Sequence, residues 1–236
     1  MNVTSFQLSA EALGSIRVFA ELDRQIRGDI AGKCRGGIFD TGGEILSQES
    51  SSREVYFIID GTVRVTYFSA GGKEVSFRDM HSGDMFGELS AIDGLARSAR
   101  VVAREPSRVA WLPPDEFHDI RTQHPAIAEA VLVHLTGLVR SLSERVIEYS
   151  ALDVRCRIQA ELLRLSSTHP EQSGAMIIER LPKHADIAAR VATHREAVTR
   201  ELNRLASVGL ITKTQKQIVI NDEIAFRAMV KGGSYG

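Results

Sequence analysis

The stretch FGELSAIDGLARSA, residues 86–99, brings Gly87, Glu88 and Arg97 together within fourteen residues. Gly87 lets the backbone approach a ligand closely, and successive backbone N–H groups in a short helical turn form a nest for an anion. Arg97 can hold a phosphate through two parallel hydrogen bonds, while the Glu88 carboxylate can accept a hydrogen bond from a sugar hydroxyl. The competing interpretation is a surface loop with an ordinary Glu–Arg pair, so the flanking sequence must decide between them.

Short apolar runs separated by turns surround this stretch, from about residue 35 to residue 112. Runs of this length at a spacing of about ten residues are typical of antiparallel strands in a sandwich or roll. The predicted strands are residues 55–59, 63–65, 75–77, 101–103 and 109–112, and the predicted turns are Asp60-Gly61, Ala70-Gly71-Gly72 and Ser82-Gly83-Asp84. We therefore expect an N-terminal β-roll that carries residues 86–99.

The pattern changes from strands to helices at Pro113. Pro114 opens a short helix, and a long helix follows Pro125 with apolar residues at steps of three and four. The apolar stripe of this helix consists of Val131, Leu135, Leu138, Leu142, Val146 and Tyr149. The helix is about twice the average length, and its stripe could pack on the roll or against a second copy of the chain. Its position between two domains favours a parallel dimer interface.

The C-terminal third has the pattern of a winged helix-turn-helix. The predicted elements are, in chain order, a helix over 154–165 capped by Asp153, a loop over 166–174, helices over 184–190 and 194–206 with a stop at Gly209, strands over 211–213 and 217–220, and a frayed tail over 231–236. Two helices with a three-residue connection, followed by a β-hairpin, are typical of this DNA-binding module.

Composition limits the class of protein. The 236 residues are 43% hydrophobic and 25% charged, as in ordinary soluble domains, and the net charge is −1. Between residues 181 and 220, however, seven basic residues stand against three acidic ones, which predicts a basic surface at that end. The sequence has no recognisable signal peptide, membrane span, metal-ligand cluster or nucleophile–base spacing. We therefore expect a cytoplasmic protein that holds no metal and is not an enzyme.

The second helix of the predicted pair begins with THREAVTREL, residues 193–202. Arginine suits guanine in the major groove and glutamate accepts from cytosine, so Arg195, Glu196 and Arg200 are candidates for base contacts. Glu196 and Arg200 are four residues apart on one helix face, where an intrahelical ion pair is the competing interpretation. Thr193 could cap the helix, with Glu196 completing a capping box.

Residues 86–99 resemble the phosphate-binding cassette of cyclic-nucleotide-binding domains, and residues 195–200 are similar to the recognition helix of the cyclic-AMP receptor branch of the Crp–Fnr superfamily. The resemblance extends from about residue 16 to residue 220. It implies that Glu88 holds the ribose 2′-hydroxyl and Arg97 the cyclic phosphate. The other ligand-binding residues that it implies are Phe86, Gly87, Leu89, Ser90, Ser98 and Ala99, with Leu142 and Ser143 at the purine. The DNA-binding residues that it implies are Arg195, Glu196 and Arg200 at base edges, Thr193 and His194 beside them, and Lys213 and Lys216 at phosphates.

Three positions depart from the family pattern. Glu49 follows Gln48 where relatives usually have glycine, which predicts a longer or looser loop. His194 replaces a serine that caps the recognition helix, and Leu142 replaces a threonine that contacts adenine together with the serine at position 143. Because one hydroxyl is missing, we expect only weak discrimination between cyclic AMP and cyclic GMP.

Together these expectations define an α+β protein with three parts: a β-roll with flanking helices over 1–124, a dimerisation helix and hinge over 125–152, and a winged helix-turn-helix over 153–236. The expected effector is cyclic AMP, with cyclic GMP as a second ligand, and no cofactor is expected. The expected partners are a second copy of the chain, double-stranded DNA with a site close to TGTGA-N6-TCACA, and RNA polymerase. The alternative is a sensor of heme or another redox ligand on the same scaffold, with His81 or Cys34 as ligands.

Overall fold

The computed structural model describes residues 4–68, 74–169, 175–179, 181–214 and 217–232. The chain divides into two compact units, Met1–Leu138 and Val139–Gly236, and the boundary falls within one long helix. Each unit has its own hydrophobic core. The division into three functional parts stays a prediction.

The N-terminal unit is built on antiparallel strands. They are β1 (Thr4–Phe6), β2 (Arg35–Phe39), β3 (Glu44–Leu46), β4 (Val55–Asp60), β5 (Thr62–Phe68), β6 (Glu74–His81), β7 (Met85–Phe86), β8 (Arg100–Ala103) and β9 (Ser107–Leu112). One sheet has the order β1-β2-β9-β4-β7 and the other the order β3-β8-β5-β6. The five predicted strands correspond to β4, β5, β6, β8 and β9, so the predicted β-roll is confirmed. The predicted turn over 70–72 lies outside the described residues.

Strand β4 explains how the roll packs. Its side chains alternate between two buried layers, with Val55 and Phe57 in the core beneath the helices and Tyr56 and Ile58 in the core between the sheets. A strand that is buried on both faces needs a continuous apolar run, which is what its sequence VYFII supplies. The cassette begins at Phe86, the last residue of β7, which is the neighbour of β4 in the same sheet.

Helices cover one face of the roll. They are α1 (Ala10–Gly14), a 3-10 turn (Arg17–Phe19), α2 (Arg24–Lys33), α3 (Glu88–Asp93), α4 (Pro114–Gln123) and the first part of α5 (Pro125–Ala151). The two predicted helices after Pro113 are thus confirmed. Ile127 and Val131 of α5 are buried in the core, whereas most apolar residues that follow them on this helix are exposed. Contrary to the expectation of no such segment, α5 is long and apolar enough, within the described part of the chain, to span a membrane by length and composition alone, although its Ile127 and Val131 pack in the core of the roll.

The C-terminal unit contains the predicted pair of helices and a small sheet. Beyond the end of α5 its elements are α6 (Val154–Leu165), β10 (Ser167–His169), β11 (Ala175–Ile178), α7 (His184–Arg190), α8 (Arg195–Ser207), β12 (Ile211–Lys213), β13 (Ile218–Ile220) and α9 (Glu223–Gly232). The sheet has the order β10-β11-β13-β12. Asp153 caps α6 as predicted, because its carboxylate accepts a hydrogen bond from Cys156 N at 2.8 Å.

Two predictions for this unit are wrong. Part of the predicted loop over 166–174 is strand β10, because Ser167, Thr168 and His169 pair with β11 and so satisfy their backbone groups. The tail does not begin to fray at residue 231, because α9 continues to Gly232; residues 233–236 lie outside the described range. Asp222 caps α9, and the buried Phe226 anchors it in the core.

Candidate functional site

The cassette is a short helix bounded by two glycines. Helix α3 begins after Gly87 and ends before Gly94, and both glycines have positive φ, +81° and +75°. A Cβ atom on Gly87 would lie 2.8 Å from Arg97 Nη1 and 3.0 Å from the Glu54 carbonyl oxygen. Glycine is therefore required at position 87 by both the backbone conformation and the space available.

Arg97 is held inside the roll by acceptors from another part of the chain. Its Nη1 donates to the Gly87 carbonyl at 2.7 Å, its Nη2 to the Glu54 carbonyl at 2.7 Å, and its Nε to Ser52 Oγ at 3.0 Å. The side chain is almost fully buried, and the Glu54 carboxylate lies 3.6 Å from Nη2. Burial lowers the pKa of Arg97, yet a guanidinium stays charged at neutral pH. A buried guanidinium that keeps its positive charge is a suitable partner for an anionic ligand.

Glu88 provides a second buried charge close to the first. The residue is 4% exposed, and its charge raises the pKa of Arg97, against the larger opposing effect of burial. The Arg97 guanidinium donates its hydrogen bonds to Ser52, Glu54 and Gly87. Over the described residues, it therefore does not form an ordinary ion pair with Glu88. The Glu88 Oε1 atom instead lies 3.5 Å from Nε2 of His134, which belongs to α5. The cassette thus presents a carboxylate and a guanidinium that remain available to one ligand.

The other cassette residues of the prediction fall into two groups. Phe86 and Ser90 are buried with Glu88 and Arg97, and the Phe86 ring stacks on Tyr56 at a centroid distance of 5.1 Å. Leu89 and Ser98 are exposed, and Ala99 is half-buried. Sequence reasoning missed Ser52, Glu54 and His134, which lie outside the motif.

The loop that departs from the family pattern is pinned rather than loose. Glu49 N donates to the Arg97 carbonyl and Arg97 N donates to the Ser50 carbonyl, each at 3.0 Å. Glu49 has φ of +63°, the left-handed conformation that glycine adopts without strain. The expectation of a looser loop is therefore wrong, because these two backbone hydrogen bonds fix the turn. Glu49 adopts the strained left-handed conformation within it.

Replacing Glu49 with glycine should stabilise the protein by about 1 kcal/mol. A non-glycine residue in the left-handed region costs roughly 1–2 kcal/mol, which glycine's larger unfolded-state entropy partly offsets. The free energy of unfolding in urea measures the effect. Glu49→Ala is the matched control and should stay within about 0.5 kcal/mol of wild type, since alanine keeps the strain. Equal stability of the two variants would contradict this account.

Leu142 and Ser143 lie on α5 in the second compact unit. Both side chains are exposed, and Leu142 is 55% accessible. The Ser143 hydroxyl donates to the Val139 carbonyl at 2.9 Å, within the same helix. Its proton is thus engaged, and its lone pairs are available to a donor.

Helix α8 separates a buried face from a charged one. Ala197, Val198, Leu202 and Leu205 pack into the core of the C-terminal unit. Arg195, Glu196 and Arg200 are all exposed on the outside. As far as the structure describes the chain, Glu196 and Arg200 do not pair with each other, so the intrahelical ion pair is not formed. The three side chains are available to an external partner.

The predicted cap of this helix is wrong. His194 occupies the N-cap position with extended backbone, and its side chain makes no capping hydrogen bond. Thr193 instead belongs to the turn that ends α7, because its N–H donates to the Ala188 carbonyl at 2.9 Å. Ala192, just before it, has φ of +51°. Four residues, 191–194, therefore connect the two helices, and Glu196 completes no capping box.

Only part of the predicted basic surface is available to a ligand. Arg190 is buried and lies 3.2 Å from Glu161, and Arg204 pairs with Glu201 at 2.6 Å, so both have internal partners. Arg195, Arg200 and Lys213 are exposed. Lys216 lies outside the described residues.

His184 joins this surface through a specific contact. Its Nδ1 lies 2.8 Å from Thr199 Oγ1 on α8. Burial lowers the pKa of His184, and so do the positive charges of Lys213 and Arg195. Both cations therefore lie close to the start of α7. The helix pair and the first strand of the wing thus share one cationic surface.

The end of α7 is fixed by side chains that the sequence prediction did not identify. The Arg190 carbonyl accepts hydrogen bonds from Tyr149 Oη at 2.7 Å and from Arg145 Nη1 at 3.2 Å, both on α5. The Val191 carbonyl accepts from Arg157 Nε of α6 at 3.1 Å. These bonds satisfy carbonyls at the helix terminus and set the position from which α8 begins.

The cysteines are poor candidates for metal ligands. Burial raises the pKa of Cys34 to about 12 and that of Cys156 to about 11, which disfavours the thiolate form that binds metals. Over the described residues, no group of three or more His, Cys, Asp or Glu side chains is placed to hold a metal ion.

Comparisons with known proteins match both halves of the chain. The cyclic nucleotide-binding domain matches residues 38–124, and the Crp-like helix-turn-helix domain matches residues 156–229. The cAMP-activated global transcriptional regulator CRP of Pasteurella multocida is 30% identical over 182 residues, covering 75% of this chain and 85% of that protein. The CRP-like cAMP-activated global transcriptional regulator of Mycobacterium tuberculosis is 26% identical over 185 residues, covering 78% and 83%.

Solved structures support the same fold. A CooA mutant from Carboxydothermus hydrogenoformans has a TM-score of 0.75 at 18% identity, covering 96% of this chain and 98% of that one. The domain matches and the curated relatives point to the same family. The chain therefore belongs to the Crp–Fnr family and is a DNA-binding transcription regulator with a cyclic-nucleotide-binding domain, not an enzyme.

Proposed function

We propose that the protein is a homodimeric, cytoplasmic regulator that binds cyclic AMP, and cyclic GMP as a second ligand, and then recognises a palindrome close to TGTGA-N6-TCACA. The observation that carries the effector assignment is the buried pair of unlike charges, Arg97 and Glu88, which over the described residues are not hydrogen-bonded to each other. A cyclic phosphate carries one negative charge for Arg97, and a ribose hydroxyl can donate to Glu88. An empty, degenerate cassette would have no reason to bury both.

The dimer is supported by the exposed apolar residues of α5. Leu132, Val139 and Val146 recur every seven residues, and Leu135 and Leu142 fall between them at the alternate coiled-coil position. Val at one seam position and Leu at the other favours a two-stranded parallel coiled coil. This seam has Leu132 and Val139 where the predicted stripe has Val131 and Leu138. The predicted stripe is wrong at these two positions, because Val131 is buried in its own core and Leu138 is half-buried. Within the seam, Leu135 is half-buried, and a second copy would cover the other four side chains, which are exposed.

Replacing Val139 with glutamate should weaken the dimer about tenfold, which corresponds to about 1.4 kcal/mol, because two carboxylates would face each other across the seam. Sedimentation equilibrium measures the dissociation constant. Val133→Glu is the matched control, since Val133 is equally exposed on α5 but lies off the seam. Equal weakening by both substitutions would place the interface elsewhere.

The family resemblance implies that Ser143 contacts the purine, so the choice between adenine and guanine depends on this residue. Leu142 can pack on a purine without distinguishing an amino group from a carbonyl. Because the Ser143 proton is donated to Val139, its oxygen more readily accepts from adenine N6 than donates to guanine O6. This single contact favours cyclic AMP only slightly, so both nucleotides should occupy the site.

Titration calorimetry with each nucleotide, followed by gel shifts with each, tests this proposal. We expect both to bind, with affinities within about tenfold, the range set by one hydrogen bond. Activation is separate from binding, because a ligand shifts a two-state hinge at 151–153 only by its differential affinity for the two states. Cyclic AMP should support DNA binding better, by analogy with the cyclic-AMP receptor branch, whose recognition helix this chain resembles. Exclusive binding of cyclic AMP would contradict the weak selectivity, and equal gel shifts would contradict cyclic AMP as the activator.

The DNA and RNA polymerase partners follow from the same proposal. In a two-fold dimer, the two α8 helices would enter successive major grooves about one DNA turn apart. RNA polymerase is proposed as the further partner of such a DNA-bound regulator.

The alternative is a sensor of heme or another redox ligand on the same scaffold. The raised pKa of Cys34 disfavours it as a ligand, and His81 Nδ1 lies 3.3 Å from Thr62 Oγ1. A visible absorption spectrum of the purified protein distinguishes the two, since a heme protein absorbs strongly there and a cyclic-nucleotide receptor does not.

A further inference from the structure

His134 is a half-buried polar residue next to the cassette that the family motif does not include. It lies on α5, and its Nε2 atom is 3.5 Å from Glu88 Oε1. That separation exceeds the usual length of an N–H···O hydrogen bond. Nε2 is buried and has no hydrogen-bond partner among the residues that the structure describes. Buried donors are nearly always satisfied, so an unpaired one beside a buried carboxylate indicates a missing partner.

The position of the proton on His134 follows from its neighbour. Nε2 faces a carboxylate oxygen, and two lone pairs at 3.5 Å would repel each other. Nε2 therefore carries the proton and is a donor, while Glu88 Oε1 is an acceptor. A single group that both accepts and donates would satisfy the two atoms together, because one oxygen can lie within hydrogen-bond distance of both.

We propose that His134 is a ligand-contacting residue that, together with Glu88, selects a ribose 2′-hydroxyl. The hydroxyl donates to Glu88 Oε1 and accepts from His134 Nε2, which uses both of its hydrogen-bonding capacities. This inference rests on the proposed cyclic-nucleotide site and adds a second, independent contact at the sugar. A ligand hydroxyl held in this way bridges α3 of the cassette to α5.

The contact predicts strong rejection of a 2′-deoxy ligand. Without the hydroxyl, both the His134 donor and the Glu88 acceptor stay buried and unpaired. Sites built to bind a hydroxyl discriminate sharply against analogues that lack it, since the analogue leaves polar groups unsatisfied. A water molecule could take the place of the missing 2′-hydroxyl between His134 and Glu88. It would do so equally in every variant that keeps an N–H donor at position 134.

The test compares cyclic AMP with 2′-deoxy cyclic AMP by titration calorimetry. Wild type should prefer the ribonucleotide, and His134→Leu should reduce that preference about tenfold, the size expected for one lost hydrogen bond. Affinity for the deoxy ligand should change much less. His134→Gln, which restores an N–H donor, should recover part of the preference. His118→Leu, at an exposed histidine on α4, should leave it unchanged.

Each outcome separates this inference from the proposed function. If wild type binds neither nucleotide, the proposed effector is wrong. If wild type prefers the ribonucleotide and His134→Leu prefers it equally, or loses both ligands equally, the role of His134 is refuted while the effector stands. Should His134→Leu fail to fold, ¹⁵N-histidine spectra of wild type decide: the His134 Nε2 signal should shift with cyclic AMP and not with the deoxy analogue, and identical shifts would overturn the inference.

Discussion

Replacing Arg97 with alanine is expected to weaken cyclic-nucleotide binding by about 2–4 kcal/mol, the range for truncating one partner of a desolvated charge contact. The guanidinium is buried and positively charged, with the Glu54 carboxylate 3.6 Å from its Nη2, so the substitution removes the cation proposed to hold the phosphate. Glu88→Ala should cost a similar amount, because it leaves the ribose hydroxyl without its acceptor. Titration calorimetry with cyclic AMP measures both losses.

Arg97 also has a structural role, and the controls must separate it from ligand binding. Arg97→Ala leaves the Gly87 and Glu54 carbonyls without their donor, so each variant's unfolding free energy is measured alongside its affinity. Ser52→Ala removes only one acceptor of the guanidinium and should have a small effect on affinity. Arg97→Lys keeps the charge but cannot reach several acceptors at once, so it should remain impaired. Full-strength nucleotide binding by a folded Arg97→Ala variant would refute the cassette assignment.

The sequence identified the cassette because its chemistry is local. Gly87, Glu88 and Arg97 lie within twelve residues of one another, and their types and order carry the signal. Ser52, Glu54 and His134 could not be found in the same way, since strand register and helix packing bring them to the cassette from distant positions. Glu49 is intermediate: its departure from glycine was visible, but its positive φ emerges only from the folded turn.

Charge counting in the C-terminal unit shows a different limit. Seven basic residues were counted between 181 and 220, but a count does not tell a buried arginine from an exposed one. Arg204 follows Glu201 by three residues on α8, a spacing that could have indicated an internal pair. Arg190 pairs with Glu161 from α6, a contact between helices that sequence spacing cannot reveal. The helix termini were harder still, because the left-handed Ala192 moves the start of α8 past Thr193.

Losing any one base-reading side chain of α8 is expected to weaken specific DNA binding by about 1–3 kcal/mol and to relax preference at one position. Arg195 and Arg200 should each contact a guanine, and Glu196 a cytosine on the opposite strand. The structure leaves these three side chains exposed and, over the described residues, outside internal ion pairs, so alanine substitutions there should not destabilise the unit. Gel shifts on the palindrome and on single-base variants of it measure both effects.

Lys213 is the matched control for these substitutions. It is exposed on β12 of the wing, where a lysine is expected to contact phosphate and therefore to contribute equally for every sequence. Lys213→Ala should lower affinity for all sites alike and reduce the salt dependence of log K by about one unit, whereas Glu196→Ala should alter base preference. Because His194 caps α8 without a side-chain hydrogen bond, the angle at which this helix enters the groove depends on the α7 turn. Unchanged base preference in Glu196→Ala would mean that α8 docks in another register, with the fold itself unaffected.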